Sequence, residues 1–221
     1  MSSEETGLSL VQEPDANFQA TVAKGDKQFL TRMSLGQPLS DAVLQGKAKP
    51  GDYFLGAKDQ VRNLGSKFVA LVGHYRYHAI IIQDKKVEAE SFDLNDPVFK
   101  QIEQEVVRKV KKEGRAAKFG IDFLLYLPAA LNPSLTVDEF VVYYFAATAK
   151  REAPEALKRQ GRMATFSSKI VGDSKKWFVP VVTDGPEALI TPDPLVLQTT
   201  LTAFTVDRVA AEPEAEEARP R

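Results

Sequence analysis

Between residues 67 and 83 the chain reads KFVALVGHYRYHAIIIQ, a run dominated by β-branched and aromatic residues. Such a run predicts strand structure, and Asp84-Lys85-Lys86 after it predicts a turn, so 67–92 reads as one strand, or two, with a hairpin return. Apolar residues occupy both parities before Gly73, which marks it as the site of a bulge or bend. A period near 3.6 appears next. Asp96 is suited to cap a helix and Pro97 to open it, and Phe99, Ile102, Val106 and Val110 follow at spacings of three and four. Glu105 and Lys109 form an i,i+4 pair, and Gly114 supplies a stop. The predicted helix lies within 92–114.

The remaining elements are shorter. LSDAVLQG (39–46) reads as a brief helix, and KPGDYFLG (49–56) as a Pro-Gly turn before a strand. Residues 26–36 show no clear period. KFGIDFLLYLPAAL (118–131) predicts a strand ended by Pro128, and DEFVVYYFAATAK (138–150) another. A short helix over 153–161 precedes a closing hairpin, 163–171 with 176–183. Residues 192–208 predict a helix with Asp193 as cap and Pro194 first, although its threonines leave a strand as the alternative. Strands dominate the centre and helices are inserted among them without regular alternation. The expected class is α+β: a small, curved antiparallel sheet or barrel carrying an inserted helix, a flanking N-terminal segment and a C-terminal helix. The expected organisation is a flexible acidic N-terminus (1–18), a single domain (19–209) and a flexible acidic tail (210–221).

Composition narrows the class. The chain has 221 residues, enough for one sizeable domain, with 43% hydrophobic and 27% charged residues, as in ordinary globular proteins. No apolar run approaches the ~18 residues that span a bilayer, and the N-terminus lacks the pattern of a signal peptide. A cytoplasmic location and no membrane partner are expected. The absence of cysteine removes disulfides and thiolate metal sites. The net charge of −1 divides unevenly: residues 1–18 carry −4 and residues 210–221 carry −2, leaving the body at +5. A basic body between acidic ends suits a polyanion binder whose ends compete with the ligand. Solvated termini that drift acidic are the ordinary alternative.

Both histidines, His74 and His78, lie in GHYRYHAII (73–81). On a strand they share one face roughly 13 Å apart, too far to share a metal. No GxSxG elbow, phosphate-binding loop or GxGxxG fingerprint is present. The expectation is therefore a protein without catalytic residues, metal or cofactor. A nucleic-acid platform suits the stretch better. Tyr75 and Tyr77 fall on one face and His74, Arg76 and His78 on the other. Flat rings on a sheet stack on unpaired bases, and cations beside them neutralise phosphates. The mixture repeats in SKKWFVP (174–180). The candidate contacts are Tyr75, Tyr77 and Trp177 for stacking, and Arg76, Lys67, Lys85, Lys86, Lys175 and Lys176 as cations. Parity forbids Tyr75, Tyr77 and Arg76 from sharing one flat face. Aromatics also populate strands for packing alone, which is the competing explanation for each ring.

The succession KPGDYFLG, GHYRYHAIIIQDKKVEAESFD, DFLLYLPAAL, EFVVYYFAATAKREAPEALKRQG and KWFVPVV resembles the small bacteriophage replication proteins that are single-stranded DNA-binding proteins with an OB-like fold. The likeness is one of element order over residues 47–183. It implies a five-stranded barrel whose open face holds single-stranded DNA, a passive role in phage DNA replication or recombination, and an acidic tail that recruits replication proteins. Here the tail ends Ala218-Arg219-Pro220-Arg221, without the terminal hydrophobic residue usual in that family. The rival expectation is a phage structural or assembly protein in which the aromatic strands form an oligomer interface.

Overall fold

The computed structural model describes residues 30–56, 61–84, 86–109, 113–146, 152–172, 177–187 and 190–205. The order is β1 (Thr31–Leu35), α1 (Asp41–Leu44), β2 (Tyr53–Leu55), β3 (Arg62–Gly65), β4 (Lys67–Gln83), β5 (Lys86–Ser91), α2 (Pro97–Val107), β6 (Arg115–Leu127), β7 (Glu139–Ala146), α3 (Glu152–Leu157), β8 (Met163–Val171), β9 (Trp177–Asp184) and α4 (Pro194–Thr205). The class is α+β. The nine strands of the described residues form one curled sheet in the order β3-β2-β1-β7-β6-β4-β8-β9, with β5 paired to β4 off that path. Nine strands exceed the five of the expected barrel, and β1 pairs with β7 in parallel, so the sheet is not wholly antiparallel.

The long strand β4 organises the molecule. It pairs with β6 along most of its length, with β8 through Lys67–Leu71, and with β5 through Ala79–Gln83. Between Leu71 and Ala79 its strand pairing is with β6 alone, which leaves a notch between β8 and β5. The register to β6 shifts between Val72 and Tyr75, so that Gly73 and His74 together face Leu124. A Cβ at Gly73 would lie 2.7 Å from the Leu124 carbonyl oxygen, so only glycine fits this bulge unstrained. Gly120 of β6 is equally confined, because a Cβ there would meet the Phe145 carbonyl oxygen at 2.0 Å.

The bulge exchanges the faces of β4. Before it, Phe68, Ala70 and Val72 point into the main core with Tyr53, Phe123, Phe145 and Phe166. Phe68 stacks on Phe166 with centroids 4.7 Å apart, and Tyr53 meets Phe68 edge-on at 4.8 Å. After it, Ala79 and Ile81 lie under α2, packed against its Phe99 and Ile102. Asp96 caps α2 by accepting from the Val98 N–H at 2.8 Å. The helix ends at Val107, earlier than its pattern suggested, and Lys109 turns the chain with φ +51°. Glu105 pairs with Arg115 of β6 rather than with Lys109. On the opposite, outer face, α4 covers Leu124 and Val142 with Phe204 and Leu201. Asp193 caps α4 by accepting from the Leu195 and Val196 N–H groups, and Thr199, Thr200, Thr202 and Thr205 donate to carbonyls four residues back. That back-bonding satisfies the threonine hydroxyls within the helix without stabilising it, so the helical state rests on the Asp193 cap and the packing of Phe204 and Leu201.

The curl closes through side chains rather than a continuous ladder. Gln37 donates to the Phe178 carbonyl at 2.8 Å and accepts from the Phe178 N–H at 2.9 Å, so its amide mimics a neighbouring strand on β9. Tyr53 donates to the Ser167 carbonyl at 2.7 Å, and Ser168 donates to the Gly51 carbonyl at 2.6 Å. Pro180 on β9 lacks an N–H, as suits the end strand of a sheet. Gln37→Ala removes both bonds to Phe178 and is expected to lower the stability by about 1–3 kcal/mol. Urea unfolding should show a lower midpoint with an unchanged slope, and an unchanged midpoint would contradict this closure.

Candidate functional site

The alternation of β4 after the bulge separates the candidate side chains cleanly. Tyr75 and Tyr77 stand on the inner face, between the main core and the cluster under α2. They pair in register with Phe123 and Ile121 of β6, and their rings meet edge-to-face with centroids 6.2 Å apart. Tyr75 also leans on Phe123 at 6.1 Å. Each ring is open to solvent, 40% exposed for Tyr75 and 37% for Tyr77. They lie along the part of β4 that borders the notch. One lip of the notch is formed by Arg162, whose carbonyl accepts from the Val72 N–H at 3.0 Å and whose side chain is exposed.

Arg76 and His78 point the other way, into a buried ionic cluster. Asp122 of β6, wholly inaccessible, is its centre. Arg76 approaches Asp122 Oδ2 through Nε at 3.4 Å and Nη2 at 3.3 Å. Its Nη1 donates to the Phe204 carbonyl, in the last turn of α4, at 2.5 Å. The guanidinium is sandwiched between two rings, 3.7 Å from the Phe92 centroid and 4.6 Å from that of Phe204. His78, 2% exposed, lies between two carboxylates. Its Nε2 is 2.8 Å from Glu90 Oε1, and its Nδ1 is 3.1 Å from Asp122 Oδ2, the latter contact close but poorly aligned. Arg32 of β1 adds a longer contact to Asp122 Oδ1 at 3.9 Å. Tyr144 meets the His78 ring edge-on at 5.5 Å, and its hydroxyl is buried without a hydrogen-bond partner.

The electrostatics follow from this packing. Burial opposes a charge on His78, yet the bonds to Asp122 and Glu90 outweigh it and hold the imidazole above its ordinary pKa. Burial would raise the Asp122 carboxyl, but His78, Arg32 and Arg76 hold it below the usual carboxylate value. His74, beside the bulge, has its pKa lowered by partial burial. No group of three or more His, Asp or Glu side chains placed to hold a metal ion occurs among the described residues.

The other candidates are scattered. Trp177, 49% exposed, stands at the start of β9 opposite Val171. By register it shares the outer sheet face with Lys169 of β8 and Lys67 of β4, both exposed. Trp177 and the two tyrosines therefore occupy opposite faces of the sheet. Lys86 is exposed at the β4–β5 hairpin, opposite Gln83. Lys85, Lys175 and Lys176 lie outside the described residues. Arg76 is a bound cation facing away from the tyrosines rather than one open to a ligand. Its partners Asp122, Phe92 and Phe204, and the further cluster members Glu90 and Arg32, are not among the residues that the sequence singles out. The available signal was Asp122 itself, a lone carboxylate inside the apolar run FGIDFLLYL, since a charge in a core strand needs a partner.

The arrangement forms a stiff strand with two characters. One side is a clamped ionic network, and the other presents two aromatic rings. No helix among the described residues is long and apolar enough to cross a membrane. Replacing Asp122 by alanine leaves Arg76 and His78 buried without their shared counter-charge. The expected loss of stability is about 3–5 kcal/mol, measurable by chemical denaturation at neutral pH, and a loss under about 1 kcal/mol would contradict the cluster's role. In comparisons with known proteins, the chain matches no family model, no curated protein and no solved structure.

Proposed function

We propose that the protein binds single-stranded nucleic acid on the inner face of its sheet, with Tyr75 and Tyr77 as the stacking platform. The observation that carries the reading is the pair of half-exposed rings, set edge-to-face on a strand that is clamped from behind. Exposed aromatics on a mobile loop would lose entropy on binding, whereas rings on a clamped strand are already ordered. Unpaired bases offer faces for such rings, while the bases of a duplex are already stacked on one another. Arg162 at the notch and Lys86 at the hairpin are the exposed cations on this route. Arg76 serves the platform from behind, by fixing the strand.

The sheet is curled, a helix packs over one part of it, and Tyr75 and Tyr77 are half-exposed on the inner face. These features, with the resemblance in element order, support an OB-like binder with a passive role in phage DNA replication or recombination. The nine strands and the parallel β1–β7 pair are then elaborations on that barrel. The second reading, an assembly protein, is favoured by Trp177 and Ile170, which are exposed on opposite faces near the end of the β8–β9 hairpin. It predicts a concentration-dependent oligomer that Trp177→Ser dissolves.

Fluorescence anisotropy of labelled oligo(dT) in low salt tests the first reading. Stacking is worth ~1–3 kcal/mol per base, so Tyr75→Ala with Tyr77→Ala should weaken binding about tenfold or more. Affinity should fall with salt by a log-log slope of about −0.7 per phosphate neutralised, and a duplex of equal length should bind less tightly. Trp177 fluorescence should change little, because Trp177 faces away from the tyrosines. No binding at micromolar protein, or equal affinity of the double variant, would overturn the proposal.

A further inference from the structure

The outer-face cluster joins two things that strand pairing alone does not connect: the charge state of β4 and the position of α4. Arg76 is the link. It shares its guanidinium between Asp122 and the Phe204 carbonyl, and it lies against two aromatic rings, Phe204 of α4 and Phe92 after β5. Beyond that clamp, α4 is held by a small apolar contact of Phe204 and Leu201 with Leu124, Val142, Phe140 and Leu30.

His78 decides how much of Arg76 is available. Its two ring nitrogens face two carboxylates, Glu90 and Asp122. An imidazolium has an N–H for each, whereas a neutral imidazole has one N–H and must turn a lone pair toward the other carboxylate. A buried carboxylate facing a lone pair is costly, and of the two described guanidinium groups within 4 Å of Asp122, Arg76 at 3.3 Å lies closer than Arg32 at 3.9 Å. Swinging fully onto Asp122 or toward Glu90 takes the Arg76 Nη1 from the Phe204 carbonyl. Among the described residues, the further charged and titratable groups around His78 are Arg32 from β1 and Tyr144 from β7. Tyr144 is pushed above its ordinary value by burial and stays neutral.

We propose that α4 is a latch on the outer face of the sheet, closed through Arg76 while His78 carries a proton and loosened when His78 loses it. The direction with pH is fixed by the raised His78 value. Stabilisation of the closed latch is fully present below the ordinary histidine pKa of 6.5 and is lost as pH rises through the elevated folded-state value. Opening exposes the Leu124 and Val142 patch and removes the brace behind Tyr75 and Tyr77. The latch stands on its own geometry and does not depend on the ligand of the tyrosine face.

Hydrogen–deuterium exchange of the full chain tests it, read peptide by peptide between pH 6 and pH 9 and corrected for intrinsic exchange. Protection of 194–205 should fall as pH rises, by at most about tenfold for each unit by which the His78 pKa is raised. Protection of α2, 97–107, should stay constant. His78→Gln should abolish the pH dependence of 194–205 with α2 unchanged. Arg76→Met should leave 194–205 weakly protected at every pH. Parallel behaviour of the two helices in the wild-type protein, which needs no variant to fold, would overturn the latch. So would a pH dependence of 194–205 that survives in His78→Gln.

Discussion

Two residues of β4, Gly73 and His74, stand opposite the single Leu124 of β6, and most of the molecule's organisation follows from that one mismatch. Side chains alternate strictly along a strand, so an inserted residue moves every later side chain to the other face. Without the insertion, Arg76 and His78 would point into the main core and Tyr75 and Tyr77 out of it. With it, one 17-residue strand serves the barrel-like core at one end and the cluster under α2 at the other. Glycine is required because the Leu124 carbonyl leaves no space for a Cβ.

The bulge also sets the cost and the benefit of the outer face. Burying Asp122, Arg76 and His78 together is unfavourable in solvation, and a packed apolar trio would be at least as stable. What the charges supply is position. Each has a directional partner, from Asp122 to Arg76 to the Phe204 carbonyl, and from His78 to Glu90. An apolar contact at the same place would allow the strand to slip and α4 to slide. The network instead fixes the strand that carries the tyrosines and ties its rigidity to the presence of α4.

Much of this was legible in the sequence because the signals were local. The β4–β5 hairpin, the Asp96-capped helix, the Asp193-capped helix and the β8–β9 hairpin are each specified by neighbouring residues. The parity of Tyr75 and Tyr77 against Arg76 and the special role of Gly73 were also readable, since both follow from strand geometry. The parts that were not legible depend on residues distant in sequence. β3 is four residues long and owes its existence to pairing with β2. Closure by Gln37 reaches across 141 positions to Phe178. Arg76 read as a free cation because its partners lie 46 and 128 positions away. Trp177 read as part of the tyrosine surface because composition does not reveal which face of a curled sheet a residue occupies.

The central claim is that the ligand-binding surface is the inner face at Tyr75 and Tyr77. Photocrosslinking of the wild-type protein to a single-stranded oligonucleotide containing 5-iododeoxyuridine, followed by mass spectrometry of the adducts, tests it most directly. Adducts confined to peptides containing Tyr75 and Tyr77, competed by unlabelled oligo(dT), are the predicted result. Adducts concentrated on Trp177 with none at the tyrosines would place the ligand on the opposite face and contradict the account.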